Sequence, residues 1–344
     1  MRHPTLQRTL RSTATAVAGM ARHPNVGGWL LVGLGCETDC VSDLWDGYGL
    51  NGEAGRGLVI QDLGGLRQTV QAGIAAVEGM LPRVNAVERT PQPLSELMIA
   101  LQCGGSDAWS GLTANPVVGL VAPEVVRHRS SDTPQGGTVV LAETPEIYGA
   151  EHLLVRRAAG AEVARRLLAQ VRWWEENAGR LGLALDHNRS TGNEAGGLTT
   201  IYEKSLGAAA KAGSTPLVAV YEYAEAVTER GFVFMNSPGF DPVSVPGHVA
   251  GGCNLVLFTT GRGSAFGFKP APSIKISSTT ALYRRMSEDM DLDAGRVLEG
   301  MEMKALAAEL LELAVAVASG RPSKSEAQGV GEAEFCPWNV EGIL

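Results

Sequence analysis

The feature that most restricts the fold is a short apolar run enclosed by glycines, within the stretch from His248 to Ile276. Residues 254–259 are mostly apolar and β-favouring, a run long enough for one buried strand and short for a helix. Gly261 and Gly263 follow it and enclose Arg262, and such glycines permit a sharp turn or a close ligand. Ligands of open α/β sheets bind beyond the carboxyl ends of the strands. Arg262 is therefore a candidate for binding an anion, and the alternative is a solvent-exposed turn residue.

Strand patterns alternate with helical ones along the chain. Besides 254–259, strands are predicted over 28–35, 58–62, 97–102, 138–142, 217–223 and 232–236. Helices are predicted near the N-terminus and over 66–78, 114–126, 150–159, 161–177 and 294–318. Loops are predicted over 46–57, 187–197 and 237–252.

This alternation predicts an α/β fold with largely parallel sheets and helices on both faces. The chain of 344 residues is long enough for two lobes. We predict a first α/β lobe over residues 1–90 and a main α/β catalytic lobe over 91–344. The boundary is placed at the polar stretch 82–93, which contains three prolines.

Composition excludes several classes of protein. The net charge of −8 argues against a general nucleic-acid binder, and no apolar run is long enough to span a bilayer. Five cysteines in a chain of this size do not form a disulfide framework, so a reducing cytoplasm is expected. Residues 1–36 lack Asp and Glu, which resembles an organellar presequence, but an amphipathic first helix is the preferred interpretation.

Three cysteines lie beside glycines at the ends of predicted strands. Cys36 is followed by Glu37, Cys103 is followed by Asp107 four residues later, and Cys253 precedes the run 254–259. Thiolate and carboxylate ligands suit iron or zinc, and three cysteines could also hold an iron–sulfur cluster. Buried cysteines that serve only as small hydrophobic residues are the alternative.

The densest group of acids and bases follows the strand predicted at 138–142. Glu143 and Glu146 flank Pro145, and Glu151 and His152 come soon after. Two carboxylates in such a place could share a metal or act as an acid and base, although a favourable interaction with the next helix N-terminus also explains them. His187, on a predicted loop, is a further candidate base or a surface histidine.

The common nucleotide and hydrolase motifs do not occur in the sequence. The Gly261 and Gly263 pair lacks the third glycine of a dinucleotide fingerprint. Neither a P-loop nor a G-x-S-x-G nucleophile elbow is present.

Five segments resemble the altronate/galactarate dehydratase family, which also includes the large subunit of a sulfolactate sulfo-lyase. They cover nearly the whole chain in the family's order: VGLGCE (Val32–Glu37), QCGGSDAWSGLTANPVVG (Gln102–Gly119), GGTVVLAETPEIYGAEHLL (Gly136–Leu154), GNEAGGLTTIYEKSLG (Gly192–Gly207) and GGCNLVLFTTGRGS (Gly251–Ser264).

The resemblance implies a hydro-lyase that converts a sugar acid to a 2-keto-3-deoxy acid with a divalent metal, Fe(II) or Mn(II), rather than an iron–sulfur cluster. Together with residue type and position it yields three groups of candidates. The metal ligands would be Cys36, Glu37, Cys103, Asp107 and Cys253. The catalytic residues would be Glu143, Glu146, His152 and His187. The substrate would be bound by Ser106, Asn193, Arg262 and Lys269.

Two alternatives follow from the same resemblance. One is a carbon–sulfur lyase acting on sulfolactate. The other is a non-catalytic subunit, because the chain begins after the upstream His-x-x-Gly-Cys stretch and the small β-rich module of many family members. We therefore expect a small sugar-acid ligand, a homo-oligomer and, as an alternative partner, a small β-rich subunit supplied in trans.

Overall fold

The structure is a computed structural model and describes residues 4–37, 41–50, 54–128, 136–332, 334–336 and 338–340. In this part of the chain the strands form two separate parallel sheets, one of two strands and one of seven. Helices surround both sheets, so the predicted α/β fold is confirmed. The division into lobes at residue 90 stays a prediction.

The smaller sheet lies near the N-terminus and is covered by a helix on each face. A Cβ on Gly57 would lie 2.6 Å from a Val41 methyl, and one on Gly73 would lie 3.3 Å from a Leu30 methyl, so the two helices approach opposite faces closely. The elements of this region are α1 (Pro4–Arg22), β1 (Trp29–Gly33), α2 (Val41–Gly47), β2 (Gly55–Val59) and α3 (Leu66–Asn85).

The larger sheet has seven parallel strands in the order β5-β6-β4-β3-β7-β8-β9. Its strands are β3 (Met98–Cys103), β4 (Thr138–Leu141), β5 (Leu217–Tyr221), β6 (Gly231–Met235), β7 (Leu255–Thr260), β8 (Ser273–Ser277) and β9 (Leu292–Asp293). Its helices are α4 (Ala114–Arg127), α5 (Glu151–Val155), α6 (Ala161–Arg180), α7 (Thr191–Ala195), α8 (Ile201–Ala210), α9 (Asp241–Ala250), α10 (Thr280–Arg285), α11 (Met303–Ala318) and α12 (Lys324–Ala327). Short 3-10 turns occupy Leu94–Glu96, Thr144–Ile147, Leu185–Asn188 and Ala294–Glu299.

The order of the strands reverses at β3. The chain leaves β3 through α4, which packs in the core on one face of the sheet, and returns to β7 through α9, which packs in the core on the other face. The change in strand order therefore lies at the carboxyl ends of β3 and β7, where ligands of open α/β sheets bind. The loops that follow these two strands are joined there, since the Gly261 N–H donates to Gly105 O at 2.8 Å.

Side-chain alternation along β3 divides its residues between the two cores. Ile99 and Leu101 belong to the core under α4, and Ala100 belongs to the core under α9. The same alternation directs Gln102 toward α9 and Cys103 toward α4. The last two residues of this strand thus supply polar groups to both faces of the sheet edge.

Several predicted boundaries were wrong. The segment 237–252 is not a loop but contains α9, which two prolines obscured. Pro246 lacks the N–H that would bond to Pro242 O, and the Cys336 N–H donates to that oxygen instead at 2.9 Å. The predicted loops 187–197 and 46–57 contain α7 and the start of β2, and the sequence reasoning did not predict α8, β8 or β9.

None of the helices in the described residues combines the length and apolar character that a membrane span requires.

Candidate active site

Three predicted site residues, Cys103, Glu143 and Glu146, meet at the carboxyl edge of the larger sheet. Cys103 ends β3, Glu143 follows β4, and Glu146 lies in the next 3-10 turn. Cys103 Sγ lies 2.8 Å from Glu146 Oε2 and 3.3 Å from Glu143 Oε2. All three side chains are buried, and one ligand atom from each lies within 4.8 Å of the others.

Two buried lysines complete this group, which we call the Cys103 cluster: Cys103, Glu143, Glu146, Lys204 and Lys211. Lys204 Nζ lies 2.9 Å from Glu146 Oε1, and Lys211 Nζ lies 3.3 Å from Glu143 Oε2. Sequence reasoning missed both lysines because it did not predict α8. A signal was present, since lysines seven residues apart share a helix face, here among small and apolar residues.

Glu143 is held in an uncommon backbone conformation, with φ of 66°. Its N–H donates to Ser237 Oγ at 3.0 Å, and the Thr144 N–H donates to Ser237 O at 2.9 Å. Asn236 Oδ1 accepts from Thr144 Oγ1 at 2.7 Å and from Trp174 Nε1 at 2.8 Å. A left-handed residue other than glycine costs free energy, so these bonds from the end of β6 fix the direction of the Glu143 carboxylate.

Gln102 connects the cluster to α9 on the opposite face of the sheet. Its Nε2 atom donates to Glu143 Oε1 at 2.7 Å and to Asp241 Oδ1 at 2.9 Å, while its Oε1 atom accepts from Ser244 Oγ at 2.9 Å. Asp241 thereby becomes a third carboxylate within the same hydrogen-bonded network.

Burial strongly changes the proton affinities of these groups. Burial and the neighbouring Glu146 raise the pKa of Glu143 to about 8, and burial raises the pKa of Asp241 to about 7. Burial and Glu143 raise the pKa of the Cys103 thiol. Burial alone would lower the pKa of Lys211, but Cys103 and Glu143 outweigh it and raise that pKa. The network therefore holds exchangeable protons on its acids and fixed positive charge on its lysines.

The donor set of the Cys103 cluster fits a divalent cation. Sulfur and carboxylate oxygen together suit Fe(II), Mn(II) or zinc. Cys103, Glu143, Glu146 and Asp241 are four acidic groups against the two lysines, so the fully ionised network has two excess negative charges. One divalent cation would neutralise that excess, which in its absence is relieved by protons.

Arg262 lies at the same sheet edge, on the other side of β3. The strands carrying Glu143 and Arg262 flank β3, which puts their ends about 10 Å apart. The Arg262 N–H donates to Gly105 O at 2.8 Å, and a Cβ on Gly196 would lie 3.2 Å from Arg262 Cδ. The side chain is exposed, and its guanidinium has no ion-pair or hydrogen-bond partner among the described residues.

Asp107, Ser106 and Asn193 lie beside Arg262, but their polar groups hold the loops together. Asp107 Oδ1 accepts from Trp109 N–H, Ser110 N–H and Ser110 Oγ, and its Oδ2 atom accepts from Ser278 Oγ. Asn193 Nδ2 donates to Ser106 O at 2.9 Å, joining α7 to the loop after β3. A metal role for Asp107 would require it to give up these four bonds.

The structure places the other candidate metal ligands away from the Cys103 cluster. Cys36 and Glu37 follow β1 in the smaller sheet, where Cys36 Sγ lies 3.6 Å from Gln61 Nε2 and the Glu37 carboxylate accepts from Gly35 N–H. Cys253 precedes β7 and lies six residues before Thr259, the register partner of Cys103, so the two thiols are about 20 Å apart along the sheet. The described cysteines therefore do not assemble a three-thiolate set.

Three other candidates also lie apart from the cluster or outside the described side chains. His152 is exposed on α5, and Lys269 is exposed and paired with Glu332. The His187 side chain lies outside the described part of the structure. Among the described residues, no hydrogen bond or ion pair joins His152 or Lys269 to the cluster or to Arg262.

His248, on α9, is fully buried, and neither ring nitrogen has a hydrogen-bond partner among the described residues. It lies one turn beyond Ser244 and two turns beyond Asp241, on the helix face that packs toward the sheet. Burial, with a smaller effect of Lys211, lowers the pKa of His248 to about 3. Its ring is therefore neutral at physiological pH.

Comparison with models of known protein families shows which family the chain belongs to. Residues 94–342 match the family model described as "D-galactarate/Altronate dehydratase, C-terminal", and residues 4–85 match "D-galactarate dehydratase/Altronate hydrolase, second domain". The chain belongs to the altronate/galactarate dehydratase family. The resemblance read from the five sequence segments is thus confirmed, and the Cys103 cluster and Arg262 both lie within the C-terminal family region.

Several curated proteins are similar to this chain over most of its length. The chain is 34% identical over 316 residues to altronate dehydratase of Escherichia coli K12, covering 92% of this chain and 62% of the relative. It is 35% identical over 315 residues to galactarate dehydratase (L-threo-forming) of the same organism, covering 89% and 58%. It is 32% identical over 315 residues to the beta subunit of (2R)-sulfolactate sulfo-lyase of Chromohalobacter salexigens, covering 90% and 78%. The chain thus spans about three fifths of the length of these dehydratases.

Proposed function

We propose that this chain carries the active site of a lyase that removes water from a hydroxylated sugar acid and yields a 2-keto-3-deoxy acid. The observation that carries the proposal is the pairing of the buried Cys103 cluster with the exposed Arg262 on either side of β3. Relatives named altronate dehydratase and galactarate dehydratase support this choice of reaction class.

Arg262 would bind the substrate carboxylate. Its guanidinium is exposed and can donate two parallel hydrogen bonds to a carboxylate. A sugar acid anchored there would extend its hydroxylated carbons across the end of β3 toward the Cys103 cluster, because the strands that lead to the two groups are about 10 Å apart.

The elimination needs one proton removed and one returned. A base takes the proton from the carbon beside the carboxylate, and the electron pair of that bond moves into the carboxylate as an enediolate. The hydroxyl on the next carbon then accepts a proton and leaves as water, and the resulting enol tautomerises to the keto acid. We assign the proton transfers to Glu143, whose carboxylate direction is fixed by Asn236 and Ser237.

The charged groups around Glu143 would support the same step. The ammonium groups of Lys204 and Lys211 would stabilise negative charge that develops on the substrate, in a site with little water. Cys103 and Glu146, with Glu143 beside them, are the residues that would hold a divalent cation, Fe(II) or Mn(II). A cation bound there would stabilise the enediolate as a Lewis acid.

A carbon–sulfur lyase is the second candidate, and the similarity to a sulfo-lyase beta subunit favours it. Sulfolactate also has a carboxylate for Arg262 and a carbon-bound proton beside it. The difference is the leaving group, since sulfite rather than water would depart from the neighbouring carbon.

One screen tests both candidates. The purified chain, loaded with Fe(II) or Mn(II), is incubated with a panel of hexonates, hexarates and sulfolactate, and both keto-acid and sulfite release are measured. Keto acid from a hexonate or hexarate supports the dehydratase, and sulfite from sulfolactate supports the sulfo-lyase. If turnover appears only when a β-rich family module is added, the chain is a subunit of such an enzyme, and no turnover under any condition contradicts both proposals.

A further inference from the structure

Asp241, the first residue of α9, is a carboxylate at the candidate site with one oxygen left over. Its Oδ1 atom accepts from Gln102 Nε2 at 2.9 Å. The residue is partly exposed, and its Oδ2 atom accepts no hydrogen bond among the described residues and is not sealed from water. That oxygen is therefore free to take a proton from a ligand.

Glu143 has no such free oxygen. Its Oε1 atom accepts from Gln102 Nε2 at 2.7 Å, and its Oε2 atom accepts from the Cys103 N–H at 3.2 Å and from Lys211 Nζ at 3.3 Å. Because both carboxylates accept from the same Gln102 nitrogen, Glu143 Oε1 and Asp241 Oδ1 lie within about 6 Å of each other. Two carboxylates at this spacing can act on neighbouring carbons of one substrate.

Asp241 and Arg262 approach the same pair of glycines after β3. A Cβ on Gly104 would lie 3.5 Å from Asp241 Oδ2, and a Cβ on Gly105 would lie 2.9 Å from Arg262 Cβ. The Cα atoms of consecutive residues are about 3.8 Å apart, so only a short stretch of backbone separates the two side chains. A ligand whose carboxylate is bound by Arg262 would have its next carbon close to this backbone and to Asp241.

We propose that Asp241 is the base that takes the proton from the carbon beside the substrate carboxylate. The assignment rests on the proposed dehydration and divides its two proton transfers between two residues. The C–H bond breaks, its electron pair moves into the substrate carboxylate as an enediolate, and the proton stays on Asp241 Oδ2. Glu143 then gives a proton to the hydroxyl of the next carbon, and the C–O bond breaks with loss of water. Transfer of a proton from Asp241 to Glu143 through water resets the pair.

Exchange of the substrate's C2 proton with D2O measures the base alone. A 3-deoxyhexonate serves as the probe, because its C2 proton can be removed but it has no hydroxyl on C3 to lose. Under the conditions that give turnover in the screen, the parent chain should exchange this proton, as followed by NMR. Asp241→Asn keeps an oxygen that can accept from Gln102 and should slow the exchange about a thousandfold. The exposed Asp62→Asn, in the turn after β2, is the matched control and should exchange as the parent does.

Added small molecules distinguish a base from a residue that only supports Gln102. Asp241→Ala removes the carboxylate, and formate can take its place as an untethered base. Formate should raise the exchange rate of this variant about tenfold or more and leave the parent unchanged. Formamide accepts the same hydrogen bond from Gln102 but is not a base, and it should not restore exchange.

Three results would overturn the assignment while leaving the proposed dehydration intact. They are exchange at the parent's rate in Asp241→Asn, loss of keto-acid release with unchanged exchange in that variant, and equal rescue of Asp241→Ala by formate and formamide. A parent chain that neither exchanges the C2 proton nor releases keto acid from any hexonate or hexarate would overturn the proposed dehydration and this assignment together.

Discussion

The two halves of the candidate site differ in almost every physical respect. The Cys103 cluster is buried, and its charges are already bonded to one another. Arg262 is exposed between glycines, and its charge has no partner among the described residues. A buried, self-compensated network is suited to holding protons or a cation in fixed positions, whereas an exposed, unpaired guanidinium is suited to capturing an anion from water. The difference therefore matches the proposed division between proton transfer at the Cys103 cluster and anion binding at Arg262.

The largest effect expected is on the buried half, by removal of the divalent cation proposed to bind there. Dialysis against a chelator should abolish keto-acid release, and added Fe(II) or Mn(II) should restore it, since loss of a Lewis acid typically costs several kcal/mol of transition-state stabilisation. Activity and metal content by elemental analysis are measured on the same samples. Full turnover by protein that contains no metal would show that the cluster works with protons alone.

Next in size is Glu146→Gln, which removes the carboxylate between Cys103 and Lys204. We expect a loss of about a thousandfold in kcat, together with weaker metal binding, because a charged contact in the reacting site is lost. The exposed Glu162→Gln on α6 is the matched control and should behave as the parent.

The loss of activity could come from the missing carboxylate itself or from the unbalanced charge of Lys204. Measurements of stability distinguish these two causes. Glu146→Gln removes the buried carboxylate that forms an ion pair with the Lys204 ammonium, at a cost of about 3–5 kcal/mol of unfolding free energy. The double variant Glu146→Gln with Lys204→Met should recover much of that stability but none of the activity. Recovered activity would mean that Glu146 only balances the lysine charge.

Arg262→Lys tests the exposed half of the candidate site. It should weaken binding of the substrate carboxylate and leave the Cys103 cluster unchanged. Loss of the two parallel hydrogen bonds should lower kcat/KM about ten- to a hundredfold, mainly through KM, while metal content and melting temperature stay as in the parent. Arg284→Lys, on the exposed side of α10, is the control. Unchanged kinetics would make Arg262 a turn residue, and a changed metal content would mean that the two halves are coupled.

The last effect concerns the pH dependence of stability on the buried side of the sheet, and it is the smallest at any single pH near neutrality. Because burial lowers the pKa of His248 to about 3 in the fold, the unfolded chain binds more protons than the folded one between that pH and about 6.5. Stability should fall with decreasing pH through this window, with His248 contributing up to about 1.4 kcal/mol per pH unit. Denaturant melts of the parent and His248→Leu across the window should differ by this slope. Parallel curves would mean that the imidazole is protonated or hydrogen-bonded in the fold.

How far the sequence predicts this site depends on what each residue contributes. Four candidates lie at the end of a buried strand or within five residues after it: Cys103, Glu143, Glu146 and Arg262. The rule that parallel strand ends meet at one sheet edge was enough to place them together. Cys253 shows the limit of this rule, because a cysteine that precedes a strand lies at the opposite edge of the sheet from a cysteine that ends one. The sequence pattern around the two cysteines is alike, but strand direction separates them by the length of the strand.

The residues that sequence reasoning missed belong to elements whose local signals were masked. Lys204 and Lys211 lie on or just after α8, where glycine-rich flanks hid a helix, and Asp241, Ser244 and His248 lie on α9, whose prolines favoured a loop. Tertiary contacts decide both cases, since the Cys336 N–H compensates for the bond that Pro246 cannot make. Burial of a lysine depends on a carboxylate far away in sequence and cannot be read locally.

The distances in sequence across the Cys103 cluster have a consequence for folding. Cys103 and Glu143 are 40 residues apart, Lys211 and Glu143 are 68 apart, and Gln102 and Asp241 are 139 apart. Each contact closes a long loop whose entropy must be lost before the contact forms, so nothing local preassembles the group. Until β3, β4 and α8 have docked, the same carboxylates and lysines remain hydrated and separate. The proposed site can therefore assemble only together with the sheet and not before it.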